Sequence, residues 1–394
     1  MLPAIPLDQM VANAQAKYQE LFGNAAEWSV VAPGRVNLIG EHTDYNDGFV
    51  MPMAIERYVV IAAGRPESGE GDTLRVYSDL VDSECTIEVG QPVPDSLPQW
   101  GIYVRGVLEE MRESGRTTGP VQAVICANVP LAGGLSSSAA LEVATATLVE
   151  AVTGDPLEGR EKAKLCQRAE NIHVGMPCGI MDQFSSALCK VDHLMQLDCR
   201  SLETKQVPFT DPDVTVLLVN TNVQRELASS AYPIRRGQCE TAAKQLGVTA
   251  LRDATMRKLD NLVEQLEEVV YRRARHVIGE NKRVQEMAVA LESGNWPAAG
   301  ELMYASHDSL RDDYEVSCDE LNLLVDTAHE IGANGGVIGS RLTGAGFGGC
   351  TVSLVRTDKV DEVADRFAKK YLDATGIAPT LFTTRPGPGA HVVS

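Results

Sequence analysis

Several stretches of this sequence carry residue types and spacings that could do chemistry, and the sharpest is AGGLSSSAALEVATA, Ala132 to Ala146. Glycines let a backbone approach an anion closely, and a helix start offers unpaired N–H groups and the positive end of its dipole to a phosphate. Ser136, Ser137 and Ser138 add hydroxyls able to donate to phosphate oxygens or to ligate magnesium. An ordinary capped helix is the other reading, since serine is a favoured cap. Two glycines and three serines exceed what capping needs and point to phosphate binding. No GxxxxGKS or GxxxxGKT string occurs, so the common P-loop is not the source of the signal.

The second stretch is GRVNLIGEHTDYN, Gly34 to Asn46, where Glu41, His42 and Asp44 fall within four residues and Arg35 is nearby. One histidine without a partner at helical spacing is a poor transition-metal pattern. Carboxylates and a histidine can instead accept hydrogen bonds from a polyol, and a solvated turn is the third possibility. In CGIMDQF, Cys178 to Phe184, Asp182 falls near an expected helix start, where it could cap the helix or serve as a base; Glu170 precedes it on the neighbouring helix. LTGAGFGGC, Leu342 to Cys350, matches GxGxxG, but a strand is expected after it where a dinucleotide site requires a helix. It reads as a glycine-rich connection between two strands, closing over a ligand or a neighbouring loop, or as a structural hairpin.

The elements that must position these stretches follow from periodicity. Helices are expected at Asp8–Phe22, Trp100–Arg112, Ser136–Val152, Glu158–His173 and from Met181. Strands are expected at Trp28–Ala32, Phe49–Ala63, Thr73–Ser78, Cys85–Val89, Val121–Val129, Leu194–Asp198 and Val214–Thr221. Gly34 to Asp47 reads as a loop rich in presented side chains. Beyond about residue 205 the chain turns helix-rich (Glu226–Leu246, Met256–Asn281, Val284–Leu291), with two late strands near Gly336–Thr343 and Cys350–Val355. This predicts two domains, 1–205 and 206–394. Arg272, Arg273, Arg275 and His276 read as a solvated basic face.

Composition limits the partners. With 54 acidic and 35 basic residues among 394, the formal charge is −19. Such a chain repels nucleic acid and anionic membranes, and an anionic substrate needs a local remedy, a metal ion or a helix N-terminus. Nine scattered cysteines form no disulfide framework, and neither a signal peptide nor a membrane-length apolar run is present. A reduced, cytoplasmic protein is expected, a monomer or at most a weak dimer.

In this order the clusters resemble the GHMP family of small-molecule kinases. GRVNLIGEHTDYN is similar to the galactokinase signature within that family, AGGLSSSAA to the family's phosphate loop, and LTGAGFGGC to its third glycine motif. CGIMDQF, DCRSLET (Asp198 to Thr204) and SLRDDYEVSC (Ser309 to Cys318) extend the likeness over nearly the whole chain. The resemblance implies an α+β chain of two domains, the N-terminal one like ribosomal protein S5 domain 2 and the C-terminal one ferredoxin-like, with the active site in the cleft between them. It implies Asp182 as catalytic base and Arg35 as its electrostatic partner, and Ser138 and Glu170 as ligands of Mg2+. Arg35, Glu41, His42, Asp44, Gly179, Asp182 and Tyr232, in SSAYPIRR, would surround the sugar. Gly133, Gly134, Leu135, Ser136, Ser137 and Ser138 would hold the phosphates of ATP, with Ser78 and Trp100 near its base. The implied reaction moves the γ-phosphoryl group of ATP to the anomeric C1 hydroxyl of galactose, with Asp44 and Tyr232 reading the axial C4 hydroxyl. Ala132 and Ala231 depart from the family's usual residues, which implies tuned affinity. An N-acetylgalactosamine kinase and a non-catalytic galactose and ATP sensor are the rival readings.

Overall fold

Apolar alternation and β-branched runs place strands β1 (Trp28–Asn37), β2 (Phe49–Val50), β3 (Pro52–Gly64), β4 (Thr73–Ser78), β5 (Ser83–Glu88), β6 (Val121–Ala127), β7 (His193–Asp198), β8 (Thr204–Pro208), β9 (Val214–Asn220), β10 (Val337–Thr343), β11 (Cys350–Arg356), β12 (Thr380–Thr384) and β13 (His391–Val392). Between them run helices α1 (Leu7–Phe22), α2 (Gln99–Glu113), α3 (Ser137–Thr153), α4 (Gly159–Ala169), α5 (Met181–Leu188), α6 (Ala228–Leu246), α7 (Met256–Asp260), α8 (Glu268–Glu292), α9 (Trp296–Asp312), α10 (Asp319–Ile331) and α11 (Val360–Thr375). The computed structural model describes residues 1–2, 5–69, 71–130, 133–223 and 228–394, and of 228–232 the backbone path only. The expected helix start at Glu226 therefore lies outside the described residues.

Three sheets result. A six-stranded sheet has the order β13-β1-β3-β6-β4-β5, a four-stranded sheet β10-β11-β9-β12, and a three-stranded sheet β2-β7-β8. In the first sheet only the β4–β6 pair is parallel. Its two faces are covered differently. Met10, Val11, Ala14 and Tyr18 of α1 pack with Val31, Val60, Ala62 and Val124 on one side, and α2 and α3 pack Val104, Val107, Ala140 and Val143 against Ile61, Ala63 and Ile125 on the other. In the second sheet Leu217, Val219 and Val355 bury against Leu324 and Ala328 of α10 and Phe367 of α11.

Several expectations change in the structure. The loop expected from Gly34 begins later, because β1 continues to Asn37 with a register shift between Pro33 and Arg35. The bulge turns the Arg35 N–H to the Leu135 carbonyl at 3.1 Å, joining the strand to the glycine–serine loop. The single strand expected at Phe49–Ala63 divides at Met51: β2 pairs with β7 and β3 with β1. Pro52 stands at a strand start, where its missing N–H is tolerated. The helix expected at Met256–Asn281 breaks after Asp260, and α8 then runs unbroken through Glu292, since no glycine or proline interrupts Asn281 to Val284. The two late strands are joined by β12, which pairs with β9, and β13, which pairs with β1. Arg273 and His276 are not on a solvated face: they are 1 % and 0 % exposed, because that side of α8 packs toward Tyr314 and the loop after β1.

Candidate active site

Directly after β1 the chain enters the loop 38–48, which is strained near both ends. Gly40 has φ +104, His42 φ 63 and Asp47 φ 56, the last two in a region that costs a side chain of order 1–2 kcal/mol. This loop forms one wall of a cavity of ≈ 410 Å³, to which it contributes Glu41, His42, Asp44 and Tyr45. Arg35 of β1, Cys178, Gly179 and Asp182 around the start of α5, and Gly344 and Ala345 of the β10–β11 connection complete much of the lining.

Asp182, in the first turn of α5, is the point where three stretches meet. Its Oδ1 accepts from Arg35 Nε at 2.9 Å and lies 2.7 Å from Arg35 Nη2, and its Oδ2 accepts from the Ser136 hydroxyl. Arg35 Nη1 donates to the Gly134 carbonyl at 2.7 Å. One guanidinium thus binds the carboxylate and the glycine–serine loop together. Ser136 is held at φ 59 just before α3 begins, so the N-terminus of α3 opens beside this carboxylate.

Asp44 is the second carboxylate on the wall. Burial, with Asp182 nearby, raises its carboxyl to about 6, although the Tyr45 N–H at 2.9 Å and Arg35 favour its charge. Gly179 packs directly on it: a Cβ at 179 would overlap the Asp44 carboxylate, so glycine is required there for space. His42 is neutral, its imidazole driven down to about 3 by burial and by the proximity of His276. Its Nδ1 bonds the Tyr45 hydroxyl at 2.8 Å, and Nε2 is buried toward the main chain of Ala345. A neutral imidazole on a cavity wall can still meet a ligand hydroxyl as donor or acceptor.

Glu41 also touches the cavity, yet its oxygens are heavily engaged. Oε1 accepts from Thr343 Oγ1 at 2.9 Å and from the Gly344 N–H at 2.8 Å. Oε2 accepts from Asn37 Nδ2 at 2.7 Å and pairs with Arg341 at 2.6 Å. Through it the β10–β11 connection is drawn against the loop after β1. That connection holds Gly344, Gly346, Gly348 and Gly349 at positive φ. A Cβ on Gly344 would crowd the Gly134 carbonyl, and one on Gly346 would overlap the Val316 carbonyl, so the glycines answer to close approach of neighbouring loops.

Behind Asp182 lies a buried acidic pocket. The chain widens into a π-helical turn at Glu170–Val174, which places Glu170 against α5. Gln183 Nε2 donates to Glu170 at 2.7 Å and to Glu142 of α3 at 3.0 Å. Burial and Asp182 lift Glu170 to about 7, while hydrogen bonds from Cys178, Gln183 and Ser138 oppose the rise. Burial together with Glu170 pushes Glu142 well above its ordinary range. Glu170 and the Ser138 hydroxyl therefore stand side by side, a pair of hard oxygen donors. Among the described residues no group of three His, Cys, Asp or Glu side chains could hold a metal by itself.

The structure thus gathers Arg35, Glu41, His42, Asp44, Gly179 and Asp182 around one cavity, with Gly134, Ser136, Ser138 and Glu170 joined to it by hydrogen bonds. Gly133, Leu135 and Ser137 continue the same loop into α3. Ser78, at the end of β4, and Trp100, in the first turn of α2, do not line the cavity; the indole N–H of Trp100 is buried without a hydrogen-bond partner among the described residues. The Tyr232 side chain and Ala132 lie outside the described residues, as does the Ala231 side chain. Sequence reasoning passed over Tyr45, Arg341, Glu142 and Gln183. Tyr45, Gln183 and Glu142 lie inside three of the motifs, whereas Arg341 falls just before the fourth and carries no local signal beyond being a charged residue in apolar surroundings.

Comparison with known proteins shows the family. The galactokinase galactose-binding signature matches residues 16–65, the GHMP kinases N terminal domain residues 102–190, and the GHMP kinases C terminal domain residues 287–373. The galactokinases of Homo sapiens and Canis lupus familiaris are each 42 % identical to this chain over 390 residues, which cover 98 % of it and 97 % of theirs. The crystal structure of Lactococcus lactis galactokinase complexed with galactose superposes with a TM-score of 0.89 at 32 % identity, over 96 % of this chain and 98 % of that one. Mevalonate kinase of Methanococcus jannaschii, at 18 % identity and a TM-score of 0.65 over 91 % of this chain and 98 % of its own, shares the fold. With its two-domain GHMP kinase fold and full-length likeness to these enzymes, the chain belongs to the galactokinases of the GHMP kinase family.

Proposed function

We propose that this ATP-dependent sugar kinase transfers the γ-phosphoryl group of ATP to the anomeric C1 hydroxyl of galactose in the cavity beside Asp182, between domains dividing near residue 205. The observation that carries this reading is the Asp182 carboxylate, shared between Arg35 and Ser136 on the wall where the sugar loop and the glycine–serine loop meet. Asp44, His42, Glu41, Gly179 and Tyr232 take the sugar hydroxyls. Gly133 to Ser138 and the start of α3 take the phosphates, with Ser78 and Trp100 toward the base.

In the reaction a bond forms between the sugar O1 and the γ-phosphorus. The bond from that phosphorus to the β–γ bridging oxygen breaks, and ADP leaves with the electron pair. Such transfers pass through a loose transition state, so the protein contributes chiefly alignment and charge stabilisation. Asp182 either accepts the O1 proton or orients it while Arg35 stabilises negative charge on the attacking oxygen. Magnesium fits the adjoining donor set. It favours oxygen ligands and usually takes only one or two carboxylates from the protein, the remainder being phosphate and water, and Glu170 and Ser138 provide such a pair. Bound there, it would neutralise charge on the β- and γ-phosphates.

The test is Asp182→Asn, which keeps the shape and the acceptor for Arg35 but removes the base. Turnover, followed as ADP release with galactose, is expected to fall at least ~100-fold with galactose binding retained. Near-normal turnover would remove Asp182 from this role.

A further inference from the structure

Three buried side chains on one face of α8 end on the main chain of the loop that carries Glu41, His42 and Asp44 or of Phe49, the β2 residue that closes it. The Glu280 carboxylate accepts from the Gly40 N–H at 2.9 Å, His276 Nε2 donates to the Glu41 carbonyl at 3.1 Å, and Asn281 Oδ1 accepts from the Phe49 N–H at 2.8 Å. Positions 276, 280, 281 and 284 share one helical stripe. Val284 and Asn281 also fit the loop sterically, since a Cβ on Gly40 would press on a Val284 methyl and one on Gly48 would overlap Asn281 Oδ1. None of these α8 residues lines the cavity.

Each anchor is itself fixed from behind. Ser306 Oγ donates to Glu280 at 2.6 Å and Arg283 Nε at 2.7 Å, the Ser309 hydroxyl lies 2.9 Å from His276 Nδ1, and Asn281 Nδ2 donates to the Val277 carbonyl at 2.9 Å. Buried polar groups must find partners somewhere, and that alone would explain one such bond. Here two reach the backbone of the same short loop and the third the strand residue that closes it, all more than 200 residues away in the sequence. That loop holds His42 at φ 63, a conformation that persists only when its surroundings over-determine it.

We infer that His276, Glu280 and Asn281 are positioning residues that set the galactose affinity of this kinase by holding the backbone of the sugar loop, without touching the sugar. The inference rests on the reading of residues 41–44 as the sugar site. The loss of one backbone anchor in a buried network is expected to cost about 5- to 10-fold in affinity.

The experiment uses the full chain with Glu280→Met, Glu280→Gln and Asn281→Ala, beside Asp44→Asn. Galactose KM, ATP KM and kcat are measured with thermal midpoints, and galactose Kd by calorimetry. Glu280→Met and Asn281→Ala are expected to raise galactose KM and Kd about 5- to 10-fold and to leave ATP KM within about two-fold. Glu280→Gln, which keeps an acceptor for the Gly40 N–H, should recover most of the loss. A merely structural role would lower the midpoint and the active fraction but leave KM alone, because KM does not depend on how much enzyme is folded. Unchanged galactose KM in folded Asn281→Ala, or equal shifts in both substrates' KM, overturns the inference, and Asn281→Ala decides the matter where Glu280→Met does not fold. If Asp44→Asn shifts galactose KM and the α8 variants do not, only this inference fails; if Asp44→Asn shifts nothing either, the sugar-site reading fails with it.

Discussion

Asp44 has its charge at stake within the physiological range. Its carboxyl is raised to about 6 by burial and by Asp182, so the folded protein holds a proton there that an unfolded chain would already have released. Ionisation of Asp44 therefore works against folding as pH rises from about 4 to about 6, and the effect is level above that. A sugar hydroxyl donating to the carboxylate favours the ionised form and reverses this preference. Galactose should then bind about ten-fold more tightly at pH 7 than at pH 5, with no further gain above pH 7. Calorimetric titration across that range checks the slope, and Asp44→Asn should flatten it. His42 adds nothing to the profile, because its imidazole stays neutral at every pH above about 3.

At the scale of elements, the contact of α9 with β10 shows how closely the supports are fitted. Gly300 of α9 lies against the main chain of Ile338 and Gly339, and a Cβ there would overlap the Ile338 carbonyl oxygen. Helix propensity alone would make Gly300→Ala stabilising by about 1 kcal/mol. Overlap with backbone, which cannot swing aside, reverses the sign, and a loss of about 1–3 kcal/mol is expected. Denaturant midpoints give the answer, and a stabilised variant would contradict the packing described. Alternation in β4 and the breaker-flanked α2 and α3 made those elements legible within a residue or two of their observed ends. The division of Phe49–Ala63 between two sheets was not legible, because a continuous apolar run does not say which strand each part will pair with.

Across the whole molecule, the two halves share one apolar core. Val36, Leu38 and Ile39 from the first half cluster with Val216, Leu218, Val284, Met287 and Val352 from the second, and β13 returns the chain end to the first sheet. The Arg341–Glu41 pair is set in this junction, with both side chains buried and Arg341 Nη1 also donating to the Leu38 carbonyl at 3.1 Å. Burial raises the Glu41 carboxyl, and Arg341 is the main opposing charge. Arg341→Met would leave that carboxylate buried without its counter-charge, at an expected cost of about 3–5 kcal/mol. Equilibrium unfolding measures it, and a loss below about 1 kcal/mol would mean that the pair is not a principal tie between the halves. No helix among the described residues is long and apolar enough to cross a membrane.

Sequence by itself determined what depends on neighbours along the chain: the glycine–serine turn before α3, the dense polar loop after β1, the aspartate at the start of α5, and through their resemblance the family. Tertiary structure alone decided which of these side chains face the cavity and what holds them there. It showed that Glu41 is tied to Arg341 and Thr343, that Gln183 joins Glu170 to Glu142, and that the basic stretch of α8 contains a histidine bonded to the loop after β1. Such contacts link residues up to some 300 positions apart, and no local pattern of type or period records them. They come into being only when sheets and helices pack and water is removed from between them.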